Sequence, residues 1–450
     1  MSQYTKTMSE GSEFRHIILF TLPLLFGNLF QQFYNIVDSI IVGRYLGKNA
    51  LAAVGATGSI TYLFYTLCIG LSIGTGILIA QHFGAGNESN VKKLIVNSAY
   101  VIAAFGVVMT VISVIFAPDL LRLLETQEEI LDDAVGYMRI ACSGTLAAAA
   151  YNWINAVMRS LGNSAIPLVF LVVASVVNIG LDLLFVVVFG MGVGGAALAT
   201  VIAQGVSAAG SIIFAFAKFP QFRFERGHLR LDPKAAWNCI VKGVPIAFQN
   251  AFISVSMIYL QRTANTFGVT VMATYTATMR VEQLIHQPFL SLSTALSTFT
   301  GQNLGAGRLD RCIRGYRMSM IAMAGFAVLM LGVFMLFSGN IVGFFVEEPE
   351  VIAIGDTALK LTSCFYLFLG TIYVTRGLLN GAGDVNYAMM NGIVEVIGRI
   401  GFATALSAIP EVGCWAVWAT SGLTWFITGL MSFIRYKHGR WKEHGIAVSK

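Results

Sequence analysis

The sequence predicts an all-α integral membrane protein, with twelve transmembrane helices in two six-helix lobes related by an internal pseudo-twofold repeat. Three observations lead there. Of 450 residues, 56% are hydrophobic and only 12% charged, where a soluble domain carries about 25% charged residues; mean hydropathy is +0.72. Apolar runs of bilayer-crossing length recur along the whole chain. Short motifs also repeat between the two halves at a nearly constant spacing.

A span needs roughly 17–25 mainly apolar residues to cross about 30 Å of hydrocarbon. Lipid offers no hydrogen-bond partners, so the backbone of each span must be helical. The first run follows Arg15 and His16; it reaches Gly43 and meets no small-residue cleavage site, so it is a retained span over 17–46 rather than a signal peptide. Spans over 51–82 and 93–117 come next. An acidic loop holding Glu125, Glu128, Glu129, Asp132 and Asp133 then leads into spans over 134–160, 166–190 and 193–217. The polar stretch 218–239 reads as a cytoplasmic linker between an N-terminal lobe, 1–217, and a C-terminal lobe, 240–450. The second lobe supplies spans over 240–267, 271–301, 314–339, 354–380, 386–409 and 412–435.

Basic residues concentrate in cytoplasmic loops of membrane proteins. Here Lys92 and Lys93 follow span two, and Lys218, Arg223, Arg226, Arg230 and Lys234 follow span six. Arg308, Arg311, Arg314 and Arg317 follow span eight, and Arg435, Lys437, Arg440 and Lys442 follow span twelve. The alternate loops are acidic, with Glu347, Glu348 and Glu350 in the second half. Both termini are therefore expected in the cytoplasm. The repeat is explicit: Gln81-His-Phe-Gly-Ala-Gly86 returns as Gln302-Asn-Leu-Gly-Ala-Gly307, and Leu161-Gly-Asn163 as Ala382-Gly-Asp384, both at an offset of 221, with Pro23 and Pro245 at 222. Two parallel copies of six spans are typical of secondary transporters with a site near the midplane.

Ionisable residues inside a span are expensive and mark function by default. Asp38, Asp182, Glu282 and Glu395 are the intramembrane carboxylates, and Arg280 and Arg399 the basic residues. Both arginines lie in the C-terminal half, and Glu395 and Arg399 stand at i and i+4, the favourable order for a helix-face ion pair. A paired structural network is favoured there over substrate contact. The N-terminal half has no basic residue at membrane depth beside Asp38 and Asp182. Around them the sequence places neutral oxygen-bearing groups: Tyr34 one turn before Asp38, Asn152 and Asn155 on span four, Asn178 four residues before Asp182, and Thr200 and Gln204 on span six. Two carboxylates with amide and hydroxyl oxygens suit a hard cation, or a single shared proton if the carboxylates are close. A cation or proton site is favoured over simple packing.

Other classes lack support. The six cysteines form no CxxC, and the six histidines have no metal-ligand spacing, so no metal site and no cofactor are expected. Gly381-Ala-Gly-Asp384 has the form of a protease GxGD, but it matches Leu161-Gly-Asn163 and reads as a repeated turn. The basic residues form no patch with interleaved aromatics, so no nucleic acid is expected. No nucleotide motif or nucleophile–base set supports ATP-driven transport or hydrolysis, and there is no extramembrane domain for a receptor.

At these residues the sequence resembles the multidrug and toxic compound extrusion (MATE) family, over nearly the whole chain. The resemblance rests on Gln31-Gln-Phe-Tyr-Asn-Ile-Val-Asp38, the paired Gln-x-x-Gly-Ala-Gly loops, Met158-Arg-Ser-Leu-Gly-Asn163, Asn178-Ile-Gly-Leu-Asp182 and Gly194-Gly-Ala-Ala-Leu-Ala-Thr200. It implies a cation-coupled antiporter, taking proton or sodium inward and exporting bulky, often cationic and amphipathic small molecules by alternating access. By motif position it implies Asp38, Asn178, Asp182 and Thr200 as the cation site, with Asn152 the best match on span four. The C-lobe residues Arg280, Glu282, Glu395 and Arg399, like Tyr34, remain candidates for substrate contact or structure. Because the C-lobe acids come with arginines, the resemblance points to the DinF-like or Gram-positive drug-exporter branch rather than NorM. A multi-pass, monomeric protein of the cell membrane is expected. A lipid-linked precursor flippase of the same superfamily is the alternative.

Overall fold

A computed structural model describes residues 4–123 and 126–445; Glu125 of the expected acidic loop lies outside them. The helices are α1 Glu13–Gly47, α2 Ala52–Gly84, α3 Glu88–Ile115, α4 Ala117–Leu123, α5 Glu128–Ser143, α6 Thr145–Ser160, α7 Ala165–Asp182 and α8 Gly192–Lys218. They continue with α9 Pro233–Thr266, α10 Val269–Gly305, α11 Leu309–Gly343, α12 Pro349–Ser363, α13 Tyr366–Ala382, α14 Val385–Ser407 and α15 Ala416–His438. Taking α5 with α6 and α12 with α13 as broken spans, and α4 as a short connector, these fill the twelve expected positions.

Length and composition alone identify nine of them among the described residues, or ten with the α12–α13 pair, which bends by 51°. The two that fall short are α5–α6 and α10, which carry Asp132, Asp133, Arg139, Asn152 and Asn155, and Arg280, Glu282, Gln283 and His286. Except in α2 and α15, the most apolar windows of these nine spans are largely not buried in protein. In α11 the most apolar window has a mean hydropathy of 2.5 with 17% buried, and Ile321, Val328 and Leu336 are exposed. A soluble helix would not survive such exposure; lipid supplies the missing apolar partner.

The repeat seen in the sequence is also a repeat of backbone conformation. Left-handed glycines recur at the 221-residue offset as Gly47 and Gly268, Gly86 and Gly307, Gly162 and Gly383, and Gly192 and Gly413. At Gly162 and Gly383, φ is +86° and +85°, values that L side chains avoid, so the expected repeated turn is fixed by the same residue twice. The break at Gly144 between α5 and α6 likewise recurs at Phe365 between α12 and α13.

The chain folds as two compact units. One comprises residues 1–7 and 22–247, the other 8–21 and 248–450. In the first, a core of Leu71, Leu78, Ile95, Trp153, Ile154 and Val157 extends to Phe219, Phe222 and Cys239. The 218–239 stretch, expected as a linker, is thus packed into this unit. Phe219 and Phe222 are 1% and 2% exposed, and the edge-on contacts of Phe216 with Phe222 and Phe224 explain why a segment of high charge still docks. Helix α9 begins inside it, at Pro233. The second unit has a core of Leu260, Ala264, Val271, Tyr275, Val417 and Trp418.

Within the first unit α2 and α9 touch backbone to backbone. A Cβ on Gly74 would lie 2.4 Å from the nitrogen of Gly243, and one on Gly70 2.5 Å from the backbone of Ala247. Gly74→Ala is therefore expected to lower the melting temperature. Overpacking costs about 1–3 kcal/mol, which outweighs the gain of about 1 kcal/mol in helix propensity. Gly136→Ala, where nothing lies within 4 Å, should be neutral or stabilising. Equal melting temperatures for the two variants would show that the close approach is not structural.

Candidate cation site

Within the first unit, α1 brings Asp38 and α7 brings Asp182 to one place. Asp182 is fully buried and Asn178 is 2% exposed, while Asp38 is half-buried. The two carboxyl groups lie within hydrogen-bonding reach of each other. Asp182 is the last α-helical residue of α7, which continues through a π-helical turn, Leu183–Val188. Such turns are rare and concentrate at functional sites.

Asn178 sits one turn before Asp182 and faces α8. With its amide nitrogen toward Asp182 it donates to Oδ2 at 3.1 Å and accepts from the Thr200 backbone N–H at 3.3 Å. Reversed, it makes one bond, to the Thr200 hydroxyl at 3.3 Å. The first orientation satisfies both amide atoms and is the one we adopt. Asn178, Asp182 and Thr200 thus come together as the sequence suggests. Asn152 does not join them by any bond to an aspartate: its amide donates to the Ala148 carbonyl of its own helix at 2.9 Å.

One oxygen of each aspartate is left without a partner: Oδ1 of Asp38 and Oδ1 of Asp182 are buried and unbonded. Buried polar atoms are normally paired, and orphaned acceptors with no donor among them are what a hard cation or a proton satisfies. Neither aspartate has an ion pair among the described residues. Tyrosines complete the surroundings. Tyr34 and Tyr137 interact electrostatically with both aspartates, and Tyr65 meets Gln204 and, at 3.4 Å, the Ala141 carbonyl. Tyr34 was anticipated from its place one turn before Asp38. Tyr137 was not, because it lies on α5, whose acidic first turn obscures it in the sequence.

The second unit holds its charges differently. Glu395 is 5% exposed and Arg399 1%, and they pair at 3.7 Å as their spacing suggests. The closer partner of Glu395 is Arg376, at 2.9 Å from α13. Sequence reading missed Arg376 because it lies near the end of its expected span; the repeat could have found it, since it falls at the position of Asn155. Arg399 also donates to the Ser256 hydroxyl of α9. Arg280 does not join the buried ion-pair network among the described residues. It is exposed and forms no ion pair with Glu282 among the described residues, because two residues apart on a helix they point to different faces. Glu282 instead meets the Thr362 side chain and Arg399 electrostatically.

The repeated motifs prove largely structural. Gln302 accepts from the Met8 N–H at 2.8 Å, while Asn303 and Arg311 donate to the Met8 carbonyl. Asp384 receives Arg435 at 2.7 Å, closing the turn that resembled a protease signature.

The MatE family model matches residues 23–184 and 245–404. The chain is 28% identical over 454 residues to the probable multidrug resistance protein YpnP of Bacillus subtilis, covering 98% of this chain and 99% of that one. It is 23% identical to the probable multidrug resistance protein NorM of Thermotoga maritima, over 96% and 94% of the two chains. Among solved structures, a multidrug resistance MATE family transporter of the MOP superfamily in an outward-facing conformation superimposes with a TM-score of 0.90 at 23% identity, covering 97% of this chain and 98% of that one. A MOP superfamily transporter from Pyrococcus furiosus gives 0.89 at 22% identity, with the same coverage.

Proposed function

The chain belongs to the MatE family of membrane transporters, and from that premise we propose that it is a cation-coupled antiporter of the cell membrane. It exports bulky, amphipathic cationic small molecules by alternating access, with both termini cytoplasmic. Asp38 and Asp182 exchange the coupling ion, a proton or sodium. The observation that carries this reading is the pair of membrane-embedded carboxyl groups with no basic partner and with an unbonded oxygen on each. Asn178 orients the Asp182 carboxyl by donating its amide N–H to Oδ2. The drug-like substrate is supported by the names of the relatives, YpnP and NorM.

Proton and sodium would use the same carboxylates, so they must compete. Sodium binding measured by calorimetry is expected to weaken as pH falls. Asp182→Asn should flatten that dependence, and Asn178→Ala should weaken sodium binding while leaving it pH-dependent, because the amide that orients the Asp182 carboxyl is lost but both carboxyls remain. Sodium binding indifferent to pH and to both substitutions would refute the shared site. Absence of sodium binding, with efflux still driven by an imposed pH gradient, would assign the proton as the coupling ion.

A further inference from the structure

The paired left-handed glycines fix the register between the two units in the stretch that matters. Gly162 and Gly383 lie before it, and Gly192 and Gly413 after it, all at the 221-residue offset. Inside that bracket Arg399 stands at the position of Asn178, and Ala403 at that of Asp182. On the first helix of each unit, Asp38 corresponds to Tyr259 or Leu260, neither of them acidic. The second unit therefore lacks the carboxylate pair and carries a guanidinium in its place.

The contacts of that guanidinium follow the same plan. In the first unit the first helix meets α7 through Asp38 and Asp182. In the second, the first helix meets α14 through Ser256 and Arg399. The groups facing Arg399 are Glu395 on its own helix, Tyr275, Glu282 and His286 on α10, and Ser256 on α9; Arg376 on α13 shares Glu395 with it. Formal charges balance, with two arginines against Glu395 and Glu282. A guanidinium keeps its proton in proteins, and its tether does not release it.

We propose that Arg399 is a tethered cation: it fills, in the second unit, the place that the first unit keeps for an exchangeable one, so that ion exchange is confined to Asp38 and Asp182. This rests on the reading that those aspartates exchange an ion. The consequence is that removing Arg399 should open a second cation site around Glu282, whose Oε1 already lacks a partner.

The test is the melting temperature of the full-length purified protein between pH 6 and pH 9, in sodium chloride or choline chloride. The background is Asp38→Asn with Asp182→Asn, which should be insensitive to sodium. Adding Arg399→Asn should lower the melting temperature at pH 9 in choline. Sodium or acidification to pH 6 should then restore about 3 °C or more, because either neutralises the stranded carboxylate. Arg399→Lys should create no such dependence, and adding Glu282→Gln to Arg399→Asn should abolish it. Equal loss at every pH and in both salts would overturn the proposal. Should Arg399→Asn fail to fold, the background decides alone. Sodium dependence that persists there and vanishes with Glu282→Gln would show an exchangeable ion in the second unit and overturn the tethered cation. Dependence that survives Glu282→Gln as well would instead overturn the aspartate site on which it rests.

Discussion

Cells expressing the Asp38→Asn variant are expected to lose ion-driven dye efflux to the level of cells lacking the protein, at unchanged membrane abundance. Among the described residues the carboxylate has no basic partner, and on the proposed reading its charge serves the ion it binds. An aspartate at the centre of a span costs about 2.5–3.5 kcal/mol to insert; neutralising it removes that cost. Stability should be unchanged or improved, and the loss should be confined to transport. Asp182, fully buried and joined to Asn178, should behave alike, with a larger structural effect because Asn178 then donates to a neutral amide oxygen instead of a carboxylate. Efflux of Asp38→Asn equal to wild type at matched abundance would exclude it from coupling.

Glu395→Gln is expected to be the most destabilising single change in the second unit, by about 3–5 kcal/mol, since it strands a buried charge. Two guanidiniums depend on Glu395, so no single compensation is complete, but the two possible ones are unequal. Glu395→Gln with Arg376→Leu leaves Arg399 facing Glu282, a neutral set. Glu395→Gln with Arg399→Leu leaves Arg376 without an acid bonded to it. The first double variant should therefore melt at a higher temperature than the second, and both above Glu395→Gln alone if the charges are coupled. Simple additivity in this series would show that the groups are not partners. Altered drug preference at unchanged stability would instead mean that Glu395 touches the substrate.

Much of this molecule is legible in its sequence. The all-helical membrane fold follows from apolar run length, because lipid permits no other backbone for such runs. The repeat follows from motif spacing, and the structure carries it to the backbone torsions of Gly162 and Gly383. Asp38 and Asp182 were identifiable because an uncompensated charge in a span is conspicuous whatever surrounds it. The spacing of Glu395 and Arg399 announced their pairing, since helix geometry fixes which residues share a face.

Only the tertiary structure decided the rest. It turned Asn178 toward Asp182 while leaving Asn152 bonded to its own helix, a choice that depends on which face of each helix meets a neighbour. It left Arg280, two residues from Glu282 but exposed, outside the ion pairs and introduced Arg376, which reaches Glu395 from the neighbouring helix. It packed the 218–239 stretch through Phe219 and Phe222, where charge counting suggested a linker. The sequence by itself determined which segments enter the membrane and which carry charge there, because those depend on transfer energies summed along the chain. Which charges are paired and which are left open depended on helix rotation and side-chain reach, set by packing between residues far apart in sequence.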